Sequence, residues 1–217
     1  MELCVVVIAH GRSQHIFNRH EKFWLAHKAP LIVVCPENDP ISSQHETLKL
    51  FKAEHSGESA TQRLRAIFEM LSTRKWERCL IFEYDSFFLD PNITSNMGLH
   101  GIYFDNKESR FIAHRYPNPP WLFDRHSFGL MVNKMREYPS ISELGFADRF
   151  IAALAYLSGV PMLEFDPPGF SASTILELHL PFLREQIHRG CKIVHGVKDA
   201  ATLSKTLAYY EESLDTF

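Results

Sequence analysis

An apolar run that ends in two acids occupies Cys79-Leu80-Ile81-Phe82-Glu83-Tyr84-Asp85-Ser86. Such a run predicts a strand that is covered on both faces and ends at the edge of a sheet. Side chains alternate along a strand, so we expect Glu83 and Asp85 on one side and Tyr84 on the other. Two neighbouring carboxylates repel each other unless a cation or a ligand hydroxyl satisfies them. The segment therefore predicts a cation or ligand site or, as the plainer alternative, a solvated acidic turn.

Further apolar runs predict strands, and segments of helical periodicity separate them. The strand-like runs are Leu3–Ala9, Leu31–Cys35, Phe128–Val132 and Lys192–Val194. Apolar residues recur every three or four positions at 59–71, 146–157, 176–187 and 203–214, which predicts helices. Strands that alternate with helices up to about residue 90 predict βαβ units and a mainly parallel sheet. Beyond that point, Tyr116–Pro120 is predicted to be a loop, because proline cannot continue a ladder of hydrogen bonds.

The composition is that of an ordinary globular protein. The 217 residues are 45% hydrophobic, which suits a single α/β domain. A net charge of −3 argues against a nucleic-acid partner, because no positive field would attract phosphates. The four cysteines form no CxxC pair and mostly lie in or beside apolar runs, which favours a reducing compartment. No run reaches the roughly 20 apolar residues of a membrane span. We therefore expect a cytoplasmic protein, or a piece excised from a longer one.

The order of short motifs resembles that of the GT-A fold glycosyltransferases, which use nucleotide-activated sugars. The first strand is followed by Ala9-His10-Gly11-Arg12 and the second by Pro36-Glu37-Asn38-Asp39. A helix of the form Gly-x-x-x-x-x-Arg, from Gly57 to Arg63, then precedes Glu83-Tyr84-Asp85, which looks like a variant of the acidic DxD motif. The resemblance implies one Rossmann-like GT-A domain with a mixed, mainly parallel sheet flanked by helices. Its nucleotide-binding half would span about 1–90 and its acceptor half about 91–217.

The resemblance also implies roles for individual residues. A nucleoside-diphosphate sugar, with a UDP-sugar as the expected donor, would contact Ala9, His10, Arg12, Glu37, Asp39, Arg63 and Glu83. Asp85 and a late histidine, His195, would hold Mn²⁺ or Mg²⁺, while Lys198 of the same His-Gly-x-Lys motif would face the diphosphate. Carboxylate oxygens suit such ions, which are commonly shared with substrate phosphates. Glu83 would face the ribose or a metal-bound water. The alternative for His195 is a purely structural histidine.

The second half of the chain offers candidates for the acceptor side. Asp148 lies in Gly145–Phe150, at the start of a predicted helix, where inverting members of the group carry a catalytic base. A carboxylate there is suited to accept a proton from an attacking hydroxyl, but it also stabilises the helix dipole. Trp121, in 114–121, and Ser127-Phe128-Gly129 are candidates for a wall that binds the acceptor sugar, since aromatic rings stack on sugars. The alternative is that Trp121 packs inside the domain.

These motifs favour a metal-dependent glycosyltransferase that inverts the anomeric carbon and uses a glycan or another hydroxyl acceptor. One alternative is a module, or a domain of a larger transferase, that binds a nucleotide or glycan without turnover. Two others are a retaining glycosyltransferase and a sugar nucleotidyltransferase, the latter disfavoured because the loop after the first strand is poor in glycine. The sequence contains neither GxGxxG after the first strand nor a GxxxxGK[ST] motif, which argues against dinucleotide oxidoreductases and P-loop enzymes.

Overall fold

The computed structural model describes residues 3–25, 31–51, 57–88, 97–105, 115–144, 146–165, 170–171 and 193–195. Its strands are β1 (Leu3–Ile8), β2 (Leu31–Pro36), β3 (Glu46–Phe51), β4 (Arg78–Glu83), β5 (Phe87–Phe88), β6 (Leu99–Asp105), β7 (Arg115–Asp124), β8 (Met162–Glu164), β9 (Phe170–Ser171) and β10 (Ile193–His195). Its α-helices are α1 (Gln14–Leu25), α2 (Gly57–Ser72), α3 (Arg125–Glu137) and α4 (Ala147–Ser158). Short 3₁₀ helices occupy Gly11–Ser13 and Pro139–Leu144.

The main sheet has seven strands in the order β3-β2-β1-β4-β7-β6-β8. The first four strands in that order are parallel to one another, β7 is antiparallel to both of its neighbours, and β8 is parallel to β6. All strands of this seven-stranded sheet except β7 therefore point the same way, which confirms the expected mixed, mainly parallel sheet. A smaller sheet has the order β5-β10-β9.

Helices bury both faces of the main sheet. Val6 and Ile8 of β1 lie in one apolar cluster with residues of α2, α3 and α4, whereas Val5 and Val7 lie in a second cluster with Phe17 of α1. This explains why β1 is apolar at every position, since each side chain enters a core. In the first cluster, the fully buried ring of Phe68 lies 4.7 Å from that of Phe128 and 5.6 Å from that of Phe123. Each such burial contributes roughly 1.5–3 kcal/mol.

The prediction of a strand at Phe128–Val132 is wrong, because this segment lies within α3. Asp124 caps the helix by accepting a hydrogen bond from the backbone N–H of Ser127. The helix then buries residues at the spacing i, i+3, i+4 and i+7, namely Phe128, Met131, Val132 and Met135. A run of five apolar residues cannot by itself distinguish a strand from a buried helix.

The prediction of a loop at Tyr116–Pro120 is also wrong, because these residues belong to β7. The described pairing of β7 with β4 reaches only Trp121, so the prolines do not interrupt that ladder. On the other side, the pairing of β7 with β6 changes register between His100 and Ile102, opposite this part of β7. Proline is tolerated in strands at such irregularities.

Other predictions were confirmed or lie outside the described residues. The helix predicted at 146–157 is α4, and Gly159 ends it in the left-handed conformation with φ = 66°. Cys4, Cys35 and Cys79 are buried free thiols. The helices predicted at 176–187 and 203–214 lie outside the described residues. Among the described residues, no helix has both the length and the apolar character needed to cross a membrane.

Candidate functional site

The carboxyl ends of the four parallel strands β1, β2, β3 and β4 meet at one edge of the main sheet. In open α/β sheets ligands bind beyond this edge. Five residues gathered there form what we call the carboxyl-edge cluster: His10, Asp39, Phe51, Arg63 and Glu83. They come from the ends of the strands and from α2, so the topology alone brings together residues that are up to 73 positions apart (83 − 10).

Gly11 joins the loops that follow β1 and β2. Its backbone N–H donates to the carbonyl oxygen of Asp39 over 2.9 Å. A Cβ atom at this position would lie 2.5 Å from Oδ1 of Asp39 and 2.7 Å from the carbonyl oxygen of Pro40. Glycine is therefore required by close approach of the two loops. Next to it, the hydroxyl of Ser13 donates to the carbonyl oxygen of His10 over 2.6 Å, which fixes the backbone of His10.

Glu83 forms an ion pair with Arg63 of α2. Nη2 of Arg63 lies 2.9 Å from Oε1 of Glu83, and the two side chains are 12% and 29% exposed. The guanidinium also lies over the ring of Phe51, 5.8 Å from its centroid. Glu83 is thus directed at α2 and its charge is compensated there. The expected contact of Arg63 and Glu83 with a donor remains a prediction, but the partner of Glu83 in the free protein is Arg63.

The expected placement of Glu83 and Asp85 on one side stays a prediction for Asp85, because the strand stops between them. β4 ends at Glu83, and Tyr84 and Asp85 form a turn in which the backbone N–H of Ser86 donates to the carbonyl oxygen of Glu83 over 2.9 Å. Asp85 is only 1% exposed, whereas Tyr84 is partly buried against the cluster that contains Phe17. The two acids therefore have different surroundings and do not form a symmetric pair.

His10 lies between aromatic rings and charged groups. Its ring centroid is 6.3 Å from that of Phe51 and 6.3 Å from that of Tyr84, both nearly perpendicular to it. Burial lowers the pKa of His10 below its ordinary value, and the charges of Arg63 and Arg12 lower it further, while Glu83 and Asp39 oppose them. Burial also raises the pKa of the Tyr84 hydroxyl, in the same direction as the nearby carboxylates Asp85 and Glu83. His10 is therefore favoured in its neutral form.

The small sheet brings the backbone of His195 towards the acidic turn. β10 runs antiparallel to β5 with Val194 opposite Phe87, so the backbone runs from Val194 to His195 in the direction of the residues that precede Phe87. Ser86 directly follows Asp85. The side chain of His195 and all of Lys198 lie outside the described residues. Among the side chains that are described, no three histidine, cysteine, aspartate or glutamate residues lie together as a metal site would require.

Asp148 lies in the first turn of α4, where its Oδ1 accepts a hydrogen bond from the backbone N–H of Arg149 over 2.9 Å. The chain leaves α4 at Gly159 and enters β8, whose Met162 pairs with Leu99 at the start of β6. Since α4 ends where β6 begins, it starts at the other end of the sheet, which is the carboxyl edge. The topology thus places Asp148 at the same edge as the carboxyl-edge cluster.

Three other predicted site residues have structural roles. Trp121 is fully buried, and its indole N–H donates to the carbonyl oxygen of Pro117 over 2.6 Å, so the acceptor wall built on this residue is wrong. Ala9 is also fully buried and offers only its backbone. Glu37 has an exposed side chain, while its backbone N–H donates to the carbonyl oxygen of Phe51 over 2.7 Å.

The acceptor wall also included Gly129, which lies in α3, where a Cβ atom would meet nothing within 4 Å. Sequence reasoning missed Phe51, which ends β3. The alternation of polar and apolar residues in Glu46-Thr47-Leu48-Lys49-Leu50-Phe51 was the signal that could have found this strand.

The main sheet, the helices on both of its faces and the carboxyl edge define the GT-A fold. A glycosyltransferase involved in the glycosylation of the major capsid of PBCV-1 superposes with a TM-score of 0.54 at 8% identity, covering 96% of this chain and 99% of that one. An active-site mutant of LgtC superposes with a TM-score of 0.52 at 11% identity, covering 91% and 88%. A 4-diphosphocytidyl-2C-methyl-D-erythritol synthase gives a TM-score of 0.41 at 13% identity, covering 87% and 98%. Neither a family model nor a curated protein matches the sequence.

Proposed function

We propose that this protein is a glycosyltransferase that moves a sugar from a nucleoside-diphosphate sugar to a hydroxyl group of a glycan or another acceptor. The observation that carries the proposal is the carboxyl-edge cluster, which gathers His10, Arg63, Glu83 and Asp39 at the ligand-binding edge of a GT-A fold. Guanidinium groups pair well with phosphates, and an aromatic ring such as that of Phe51 gives a base a surface to pack on. A UDP-sugar is the first donor to test.

Asp85 and His195 would hold a divalent cation, Mn²⁺ or Mg²⁺. A carboxylate is the ligand that these ions prefer, and imidazole is compatible with Mn²⁺. The charge of Glu83 is compensated by Arg63, so Glu83 is not needed as a ligand. When bound, the ion would neutralise charge on the leaving diphosphate. Because Asp85 is 1% exposed, entry of the ion requires groups around the turn to move aside, so metal binding itself must be measured.

The remaining roles belong to residues of the chain itself. Arg12 and Arg63 would pair with the diphosphate, together with Lys198, and this would hold the donor at the ends of β1 and β4. Asp148 would accept the proton of the acceptor hydroxyl, which implies inversion at the anomeric carbon. The start of α4 lies at the carboxyl edge, and this supports the assignment.

The proposal is tested by measuring nucleoside diphosphate release from a panel of sugar nucleotides with Mn²⁺ and an acceptor mixture. We expect Asp85→Asn to lower turnover by roughly 10²-fold or more and to weaken binding of Mn²⁺ measured by calorimetry. The matched control is Asp124→Asn, which changes a carboxylate at the opposite edge of the sheet and should keep turnover. Equal turnover in wild type and Asp85→Asn would contradict the metal site.

The same assay separates the alternatives. Asp148→Asn should lower kcat by roughly 10²–10⁴-fold with unchanged donor affinity, and NMR of the product should show inversion. A retained anomeric configuration together with an active Asp148→Asn variant would favour a retaining enzyme. Nucleotide binding without turnover of any donor would favour a binding module. Release of pyrophosphate from a nucleoside triphosphate and a sugar phosphate would favour a nucleotidyltransferase.

A further inference from the structure

We infer that His10 couples donor binding to the uptake of a proton: it is neutral in the free protein and becomes protonated when a nucleoside diphosphate occupies the carboxyl-edge cluster. The inference rests on the proposed function and adds a specificity device to it. A ligand that brings the charge of a diphosphate would be held by a protonated His10, whereas an uncharged nucleoside would not.

The position of His10 is fixed by its neighbours. Its carbonyl oxygen accepts the hydroxyl hydrogen of Ser13 over 2.6 Å, and the next residue, Gly11, is bonded to Asp39. The rings of Phe51 and Tyr84 flank the imidazole at 6.3 Å on perpendicular planes. The imidazole is thus half-buried between these rings and beside the charged groups of the cluster. Its protonation state therefore follows the charges around it.

Those charges act in both directions in the free protein. Arg63 from α2 and Arg12 from the following 3₁₀ helix oppose a proton on His10, while Glu83 from the end of β4 and Asp39 from the loop after β2 favour it. Two positive and two negative groups thus face the imidazole, and Tyr84 packs against it as a neutral ring. Burial has the largest effect and the two guanidinium groups act in the same direction, so the pKa of His10 lies below its ordinary value of 6.5.

A bound diphosphate would change this balance in one direction. It would pair with the guanidinium groups of Arg63 and Arg12, so their positive charges would no longer lower the pKa of His10. It would also add negative charge of its own, which favours the protonated imidazole. Both effects raise the pKa of His10 in the complex. The complex then holds more protons than the free protein, so affinity decreases as pH rises between the two pKa values. The limit for one proton is about tenfold in affinity per pH unit.

The test is calorimetric titration of the whole chain with UDP at constant Mn²⁺, at pH 6.5 and one unit to either side, in buffers of different ionisation enthalpy. The buffer dependence of the heat gives the number of protons taken up. We expect wild type to take up part of a proton when UDP binds, and His10→Gln to take up fewer protons than wild type by that amount. The nucleotide and the metal ligands titrate equally in both proteins, so the difference isolates His10.

Matched controls separate this effect from general loss of a histidine. His15→Gln removes an exposed histidine of α1 and should leave proton uptake unchanged. Arg12→Gln removes one opposing charge, so the free protein should already carry part of the proton and take up less on binding. Uridine in place of UDP should produce no uptake by His10. The NMR titration of the imidazole in wild type, with and without UDP, gives the same answer without any variant.

Three outcomes would overturn the inference, and the first two distinguish its failure from that of the proposed function. If UDP binds and wild type and His10→Gln take up the same number of protons, the assignment of His10 is wrong while the proposed function stands. If neither UDP nor any other nucleoside diphosphate binds, the proposed function fails and the inference fails with it. An NMR pKa of His10 that does not rise on binding of UDP would also contradict the inference.

Discussion

The two edges of the main sheet satisfy their acidic side chains in different ways. At the edge where β7 ends, Asp124 accepts hydrogen bonds from the backbone N–H groups of Ser127 over 2.9 Å and of Gly98 over 2.6 Å. At the carboxyl edge, Glu83 is paired with the guanidinium of Arg63 over 2.9 Å. Backbone donors are fixed by the fold, whereas a guanidinium can exchange a carboxylate for a phosphate. The first arrangement stabilises the structure, and the second can be rearranged by a ligand.

The same contrast distinguishes the half-buried His10 from the buried His100. His10 faces charges of both signs from four segments of the chain, so a ligand can shift its protonation. The ring of His100 in β6 is 4% exposed and lies 6.1 Å from that of Phe165, and the carboxylate of Asp124 is the charge that acts on it among the described residues. Burial lowers the pKa of His100 more than Asp124 raises it. His100 is therefore a neutral core residue, and its titration reports on folding alone.

The largest effect is expected at Asp124. Burial raises the pKa of this carboxyl, but hydrogen bonds from Ser127, Gly98 and His126 outweigh burial and hold the pKa below its ordinary value. Asp124→Ala removes the cap of α3 and leaves the N–H of Gly98 without its acceptor. We expect a loss of about 3 kcal/mol in the free energy of unfolding, measured by urea denaturation. UDP affinity should stay the same, and a loss below about 1 kcal/mol would contradict this role.

Gly11→Ala should have a smaller effect, and one that reaches the site. The new methyl group would overlap the carbonyl oxygen of Pro40 and Oδ1 of Asp39, so the two loops must separate. We expect a loss of about 1–3 kcal/mol in stability and weaker UDP binding. The control is Gly129→Ala in α3, where nothing lies within 4 Å of the new Cβ. That change should stabilise the helix by roughly 0.5–1 kcal/mol. Equal stability of the two variants would contradict the close approach at Gly11.

The parallel half of the sheet was predictable from sequence because its strands are buried on both faces. β1, β2 and β4 therefore carry continuous apolar runs whose bounds agree with the structure to within one residue. The half that contains β6 and β7 was not predictable in the same way, since β7 contains prolines that are tolerated only where its pairing is irregular. The run Phe128–Val132 was ambiguous, but Asp124 is a preferred N-cap residue shortly before it and was a signal that could have resolved it.

For the site, sequence predicted the segments but not their contacts. The loops at 9–12 and 36–39 and the helix that carries Arg63 do meet at one edge, because that follows from parallel topology. The ion pair between Arg63 and Glu83 depends on the rotation of α2 about its axis, which a motif does not specify. The burial of Asp85 depends on where β4 stops, and strand ends are set by tertiary contacts as much as by local sequence. The roles of Asp85, His195 and Asp148 remain predictions.

The smallest effect is the pH dependence of stability that His100 contributes. Its pKa is lower in the folded protein than the ordinary value of 6.5, so the unfolded chain binds more protons below that pH. This contribution is constant above pH 6.5, and stability is lost as pH falls from there towards the folded-state pKa, with a limit of about 1.4 kcal/mol per pH unit.

The measurement is the free energy of unfolding, obtained by urea denaturation at several pH values and plotted against pH. His100→Leu should remove the slope that His100 contributes to this plot, and His10→Gln should remove the slope that His10 contributes. Because His100 lies in the core and His10 at the carboxyl edge, bound UDP should abolish only the slope that belongs to His10. If UDP changed the slope in His100→Leu and wild type by different amounts, the two histidines would be coupled, and the separation between a stabilising edge and a binding edge would be wrong.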